Sequence, residues 1–139
     1  MKRNESIRKV MTSQLTTAHT AMPVSQARQL LEQNSFHHLP VVSGDELVGM
    51  ISALDMTRVD LTGWGTDRRS LDAALDAQFS IEDLMTKEVE TLPIGATVKQ
   101  AALVLSEGRF HSVPVVDDKG RLEGLVTTTD LVRFLADQF

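Results

Sequence analysis

The chain of 139 residues predicts a mixed α/β (α+β) fold in which one small unit is written twice. Three observations predict it. First, when the chain is slid against itself by 74 positions, Ile7, Met11, Thr12, Val24, Ala27 and Leu31 meet identical residues at Ile81, Met85, Thr86, Val98, Ala101 and Leu105. Second, within each copy a run of helical period precedes two short β-branched runs joined by a turn. Third, the chain is long enough for a real core, able to bury roughly two-thirds of the surface that its unfolded form exposes.

Each copy opens with a helical turn at Ile7 or Ile81 and a short strand, and a helix follows. In the first copy Val24, Ala27, Leu30 and Leu31 mark its apolar face; in the second, Val98, Ala101, Ala102 and Leu105 do so behind a Thr97–Gln100 capping pattern. Asn34 and Gly108 align where these helices should stop, and both residue types tolerate the left-handed conformation at a helix end. Next comes a hairpin, over Leu39 to Val42 and Leu47 to Ser52 in one copy, over Val113 to Val116 and Leu122 to Thr127 in the other. The register slips by one residue between SGDE and DDKGR, as an insertion in a surface turn would require. Each copy closes with a helix starting near Asp55 or Asp130; the second carries an apolar stripe of Leu131, Phe134 and Leu135. Residues 1–60 form the first repeat, 61–80 a connector and 81–139 the second repeat. In the connector Gly63 and Gly65 around Trp64 predict a loop, with the tryptophan packed on one of the units, and Leu71, Ala74, Leu75 and Gln78 predict a short helix.

Charge and composition exclude several functions. A net charge of −5 offers no broad cationic field for nucleic acid or for an anionic membrane. The absence of cysteine removes disulfides, thiolate metal sites and thiol nucleophiles. No apolar run suits a signal peptide or a membrane span, so the expected location is the cytoplasm, without membrane insertion.

Two phrases carry chemistry in duplicate. FHHLPVV (36–42) and FHSVPVV (110–116) enter the hairpins, and GMISALD (49–55) and GLVTTTD (124–130) leave them. In the second pair a hydroxyl, Ser52 or Thr127, ends a strand while an aspartate, Asp55 or Asp130, sits on the first turn of the next helix. An ionised carboxylate accepts through two oxygens, which suits the paired hydroxyls of a ribose, and unpaired N–H groups at a helix start attract anions. The same residues also suit a purely structural cap. A Ser52–His37–Asp55 triad lacks a nucleophile elbow and an oxyanion hole, so hydrolysis is not expected. Neighbouring His37 and His38 point to opposite faces of a strand, which disfavours a metal site shared with His19 and His111.

With these motifs in this order and twice over, nearly the whole chain resembles tandem cystathionine beta-synthase (CBS) domains. The resemblance implies two βαββα units packed sheet to sheet about a pseudo-twofold axis, with clefts that bind AMP, ADP, ATP or S-adenosylmethionine. It implies a regulatory adenosine-nucleotide sensor of stand-alone type, not an enzyme, with no cofactor beyond that ligand. One cleft would combine Thr12, Thr16, Phe36 and His37 with His111, Ser112, Leu125, Thr127 and Asp130. The other would combine Thr86, Glu90, Phe110 and His111 with His37, His38, Met50, Ser52 and Asp55. In this scheme the aspartates hold ribose, Thr127 and Ser52 hold ribose or phosphate, and the strand entries wall the base.

The chain departs from the family pattern after the repeated histidine. Nucleotide-binding members there often carry Arg or Lys, whereas this chain has His38 and Ser112. Glu90 opposes a phosphate in the second cleft, so the Asp130 cleft is the expected nucleotide site, and His38 would make the second one pH-dependent. Lys2, Arg3, Lys87 and Arg109 are the cations available to make up the missing charge. The competing expectation is a scaffold with empty clefts that serves dimerisation or docking. Under either reading a homodimer is expected, to cover the Phe134 and Leu135 region, and so is a regulated partner protein, unidentified by the sequence.

Overall fold

The computed structural model describes residues 4–33, 38–58 and 67–139, and the expectations for Asn34, Phe36, His37 and Trp64 lie outside them. The chain folds as two compact units: a continuous one, Thr16–Val89, and a composite one made of Met1–Leu15 with Glu90–Phe139.

The continuous unit holds β1 (Ala18–His19), α1 (Val24–Gln33), β2 (His38–Ser43), β3 (Glu46–Ser52), a 3-10 turn (Asp55–Arg58), α2 (Arg68–Gln78) and α3 (Ile81–Leu84). Its sheet runs β1-β2-β3, with β1 parallel to β2 and β2 antiparallel to β3. Helix α1 buries Val24, Ala27 and Leu31, three residues at helical spacing, against Leu39, Val41 and Ile51 of the hairpin. The expected connector helix is α2, capped by Asp67, whose carboxylate accepts from Ser70 N at 2.8 Å. It packs Leu75 into the same core. Asp76 of α2 accepts from both the backbone N (2.8 Å) and the hydroxyl (2.6 Å) of Ser25, supplying a cap to the start of α1, while Asp72 pairs with Arg28.

The composite unit repeats the plan with a 3-10 turn (Ile7–Lys9), β4 (Leu92–Pro93), α4 (Val98–Ser106), β5 (Ser112–Val116), β6 (Leu122–Thr127) and α5 (Thr128–Asp137). The sheet order is β4-β5-β6, again one parallel and one antiparallel pairing. The predicted Thr97–Gln100 capping box is formed, and just beyond the end of α4, after its cap residue Glu107, Gly108 takes φ +78°, in the left-handed region. Both hairpins shift register at equivalent places, between Val41 and Val42 and between Val115 and Val116. The second closing helix is complete as α5, whereas in the first copy Asp55–Arg58 form a 3-10 turn. Among the described residues no helix is long and apolar enough to cross a membrane.

A repeat read along the chain groups each opening turn with the strands that follow it, but the backbone hydrogen bonds group it with the other copy's strands. Ile7 N donates to Ala96 O at 3.0 Å, Val98 N to Glu5 O at 2.8 Å, and Thr12 and Leu125 exchange a pair of bonds of 2.9 Å each. In the continuous unit Thr86 and Met50 exchange the equivalent pair at 2.8 and 3.0 Å. Ile7 and Ile81, both fully buried, anchor these exchanged turns in their host cores. The glycines of the repeated G-x-x-[ST]-x-x-D phrase make room for them. A Cβ on Gly49 would lie 2.7 Å from both Met85 Sδ and Thr86 O, and one on Gly124 would lie 2.8 Å from Met11 Sδ and 3.0 Å from Thr12 O.

Candidate ligand site at the sheet edges

In each unit one end of the sheet gathers the chemistry-bearing residues. The antiparallel register sets Ser112 opposite Thr127 and His38 opposite Ser52, so the start of one strand meets the end of its partner. β6 then turns directly into α5, and β3 reaches the Asp55–Arg58 3-10 turn after two residues. Thr127 N donates to Asp130 Oδ2 at 2.9 Å and Asp130 N to Thr127 Oγ1 at 3.0 Å, a reciprocal capping box. Ser52 and Asp55 form the same pair at 2.7 and 3.1 Å. Each aspartate is therefore held rigidly, as a cap. Capping does not exhaust Asp130, because a carboxylate has lone pairs on two oxygens and the Thr127 N–H occupies only one of them. Asp130 keeps 10% of its side chain exposed, and its Oδ1 lies 3.6 Å from Arg133 Nη1. The Thr127 hydroxyl accepts within the box, so its proton remains a donor.

The exchanged turns reach the same edge. Thr12 bridges Leu125 and Thr86 bridges Met50, each two residues before the strand-ending hydroxyl and so on the same strand face. Thr12, His111, Ser112, Leu125, Thr127 and Asp130 thus gather in the composite unit, and His38, Met50, Ser52, Asp55 and Thr86 in the continuous one. Of the remaining expected residues, Thr16 belongs to the continuous unit, and Glu90 and Phe110 to the composite one.

Two features were not read from the sequence. The N–H groups expected to draw an anion are partly spent, since Thr128 N donates to His111 O at 2.9 Å and Asp130 N to Thr127. Arg109 is also engaged at this edge: its guanidinium bonds Glu107 Oε2 at 2.6 Å and Glu90 Oε2 at 3.2 Å and lies 5.4 Å from the centroid of the Phe110 ring. Its position beside the FHSVPVV phrase was visible in the sequence, but its partners were not.

Comparison with known proteins agrees with this architecture. The CBS domain family matches residues 7–61 and 81–137. An uncharacterized protein of Methanocaldococcus jannaschii, MJ1225, is 25% identical over 96% of this chain and 48% of its own length. The chloroplastic CBS domain-containing protein CBSX1 of Arabidopsis thaliana is 28% identical over 79% of this chain and 54% of its own. The chain thus spans about half the length of these curated relatives. Among solved structures, CBSX2 in complex with AMP superposes with a TM-score of 0.80 at 26% identity, covering 96% of this chain and 98% of that one. The CBS domain pair of protein MJ0100, in complex with 5′-methylthioadenosine and S-adenosyl-L-methionine, gives 0.71 at 27% identity, covering 94% and 98%. With both repeats matched and the duplicated hydroxyl–aspartate edge in place, the chain belongs to the CBS domain family, as a tandem pair.

Proposed function

We propose that this CBS pair is a regulatory module that binds an adenosine-type ligand, AMP, ADP, ATP or S-adenosylmethionine, and passes the signal to another protein without catalysing a reaction. The observation that carries the proposal is the duplicated sheet edge, where a half-buried carboxylate and a strand-ending hydroxyl stand near an exchanged backbone bridge in both units. Two structural neighbours, CBSX2 and MJ0100, were solved with adenosine compounds, which supports the same ligand class here. Asp130 and Asp55 take the ribose hydroxyls, and Thr127 and Ser52 donate to ribose or to its 5′-substituent. Absence of cysteine fits a reducing setting such as the cytoplasm.

Thermal unfolding with AMP, ADP, ATP, S-adenosylmethionine and NAD tests the reading. A true ligand at a hundred times its dissociation constant stabilises the fold by about 2.7 kcal/mol. The informative variant is Asp130→Asn, which keeps an oxygen for the Thr127 N–H but removes the charge. It is expected to unfold near the parent's temperature while losing most of the ligand response, whereas Asp130→Ala should also lose about 1 kcal/mol of capping stability. A parent chain that responds to none of the five compounds leaves only the scaffold reading.

Self-association is the second part of the proposal. Helices α4 and α5 flank a cavity of about 300 Å³ lined by Val98, Ala102, Leu105, Leu131, Val132 and Leu135 among others. Val132 and Leu135 are 60% and 45% exposed there. An apolar groove of this kind favours coverage by a second copy. Val132→Glu should shift the mass measured by light scattering from dimer to monomer with little change in thermal stability; a parent that is already monomeric refutes the dimer.

A further inference from the structure

The composite unit's sheet edge carries a cluster of paired charges. Strand β4 runs parallel to β5, and β5 is antiparallel to β6, so the N-terminal ends of β4 and β5 lie at the same edge as Thr127. Glu90 precedes β4 and Arg109 precedes β5, which puts their ion pair at the same end of the sheet as the Thr127–Asp130 box. Arg109 gives its Nε and Nη2 to Glu107 and shares Nη2 with Glu90. Hydrogen bonding to Glu107, ahead of the charge of the two glutamates, raises its pKa above the ordinary arginine value. Arg133 is paired with Asp130. Two arginines therefore pair with three carboxylates, and Arg109, at the head of β5, is already engaged by acids. The N–H groups of Thr128 and Asp130 are likewise committed within the fold.

Resting on the proposed adenosine reading and narrowing it, we infer that the composite unit's site takes an adenosine with an uncharged or cationic 5′-substituent, such as a thioether or sulfonium, in preference to a 5′-phosphate. Glu90 and Glu107 set that preference by occupying Arg109. A phosphate, bearing close to two negative charges, must either displace a glutamate or take the remaining Nη1 donors and sit beside both carboxylates. A thioether does neither. The device belongs to one unit, since the positions equivalent to Glu90, Glu107 and Arg109 in the first copy are Thr16, Gln33 and Ser35.

The test is calorimetric titration of the full chain with 5′-methylthioadenosine and with AMP, in an Asp55→Asn background that removes the other unit's carboxylate. The parent should bind 5′-methylthioadenosine more tightly than AMP. In Glu90→Gln/Glu107→Gln, AMP should tighten about tenfold, on the scale of two freed surface ion pairs, with the thioether changed less than about twofold. All three side chains are exposed, so the variants should fold as the parent does. AMP bound by the parent as tightly as the thioether, or an affinity ratio that the double variant leaves unmoved, overturns the selectivity while the adenosine reading stands. Absence of binding by either compound to every variant overturns both.

Discussion

Replacing Ile7 with alanine should unfold the second repeat's sheet first, although Ile7 lies in the first repeat. The side chain is fully buried among Val98, Val113, Val115 and Val126, all in the composite unit. Truncating a buried isoleucine to alanine costs roughly 2 to 5 kcal/mol, because the lost transfer energy adds to that of an incompletely collapsed cavity. For a chain of this length that corresponds to a melting temperature lower by about 10 °C. Location is the sharper readout. Hydrogen exchange should speed up at Val113, Val115 and Val126 well before it does at Leu39, Val41 and Ile51 of the continuous unit. Ile81→Ala should give the mirror image, loosening the hairpin of the first repeat. Were each turn instead packed on the strands of its own copy, Ile7→Ala would deprotect Val41 and Ile51, and the exchanged arrangement would be wrong.

That reversal shows where sequence reasoning stops. The helices were legible because Val24, Ala27 and Leu31, like Val98, Ala101 and Leu105, repeat at a spacing set by local geometry alone. The hairpins were legible because β-branched runs flank a turn, and Gly108 marked a helix end because few residues accept a positive φ. Each of these signals acts within about ten residues of chain. The choice between two equivalent hosts does not. Ile7 and Ile81 are the same residue in the same local setting, so periodicity cannot say which core receives which. Only the backbone pairing of Thr12 with Leu125, more than a hundred positions away, decides it. The hydroxyl–aspartate phrase was legible for a related reason: both of its uses, cap and sugar ligand, require the same residues at the same spacing. The Glu90–Arg109 pair was not, because a salt bridge between the approach segments of two parallel strands leaves no periodic trace in the sequence.

The glycines that begin the repeated phrase allow a graded test of the exchange itself. Gly49 and Gly124 lie in strands, where glycine costs stability for want of a side chain, so their presence calls for a compensating contact. That contact is the backbone of the exchanged turn. Gly49→Ala would place its Cβ 2.7 Å from Thr86 O, a carbonyl that accepts from Met50 N and cannot swing aside as the end of a side chain can. The bridge must lengthen or the turn must lift, at a cost of about 2 to 3 kcal/mol typical of overpacking. Gly124→Ala meets Thr12 O at 3.0 Å, a milder clash, while the methionine sulfurs at 2.7 and 2.8 Å can move in both cases. The expected order in chemical denaturation is therefore parent, then Gly124→Ala, then Gly49→Ala. Shortening the flexible neighbour with Met85→Ala in the Gly49→Ala background should recover little, since the carbonyl remains. A full recovery would place the clash at the sulfur and not at the bridge, and the close backbone approach would then lose its role as the reason for glycine at these two positions.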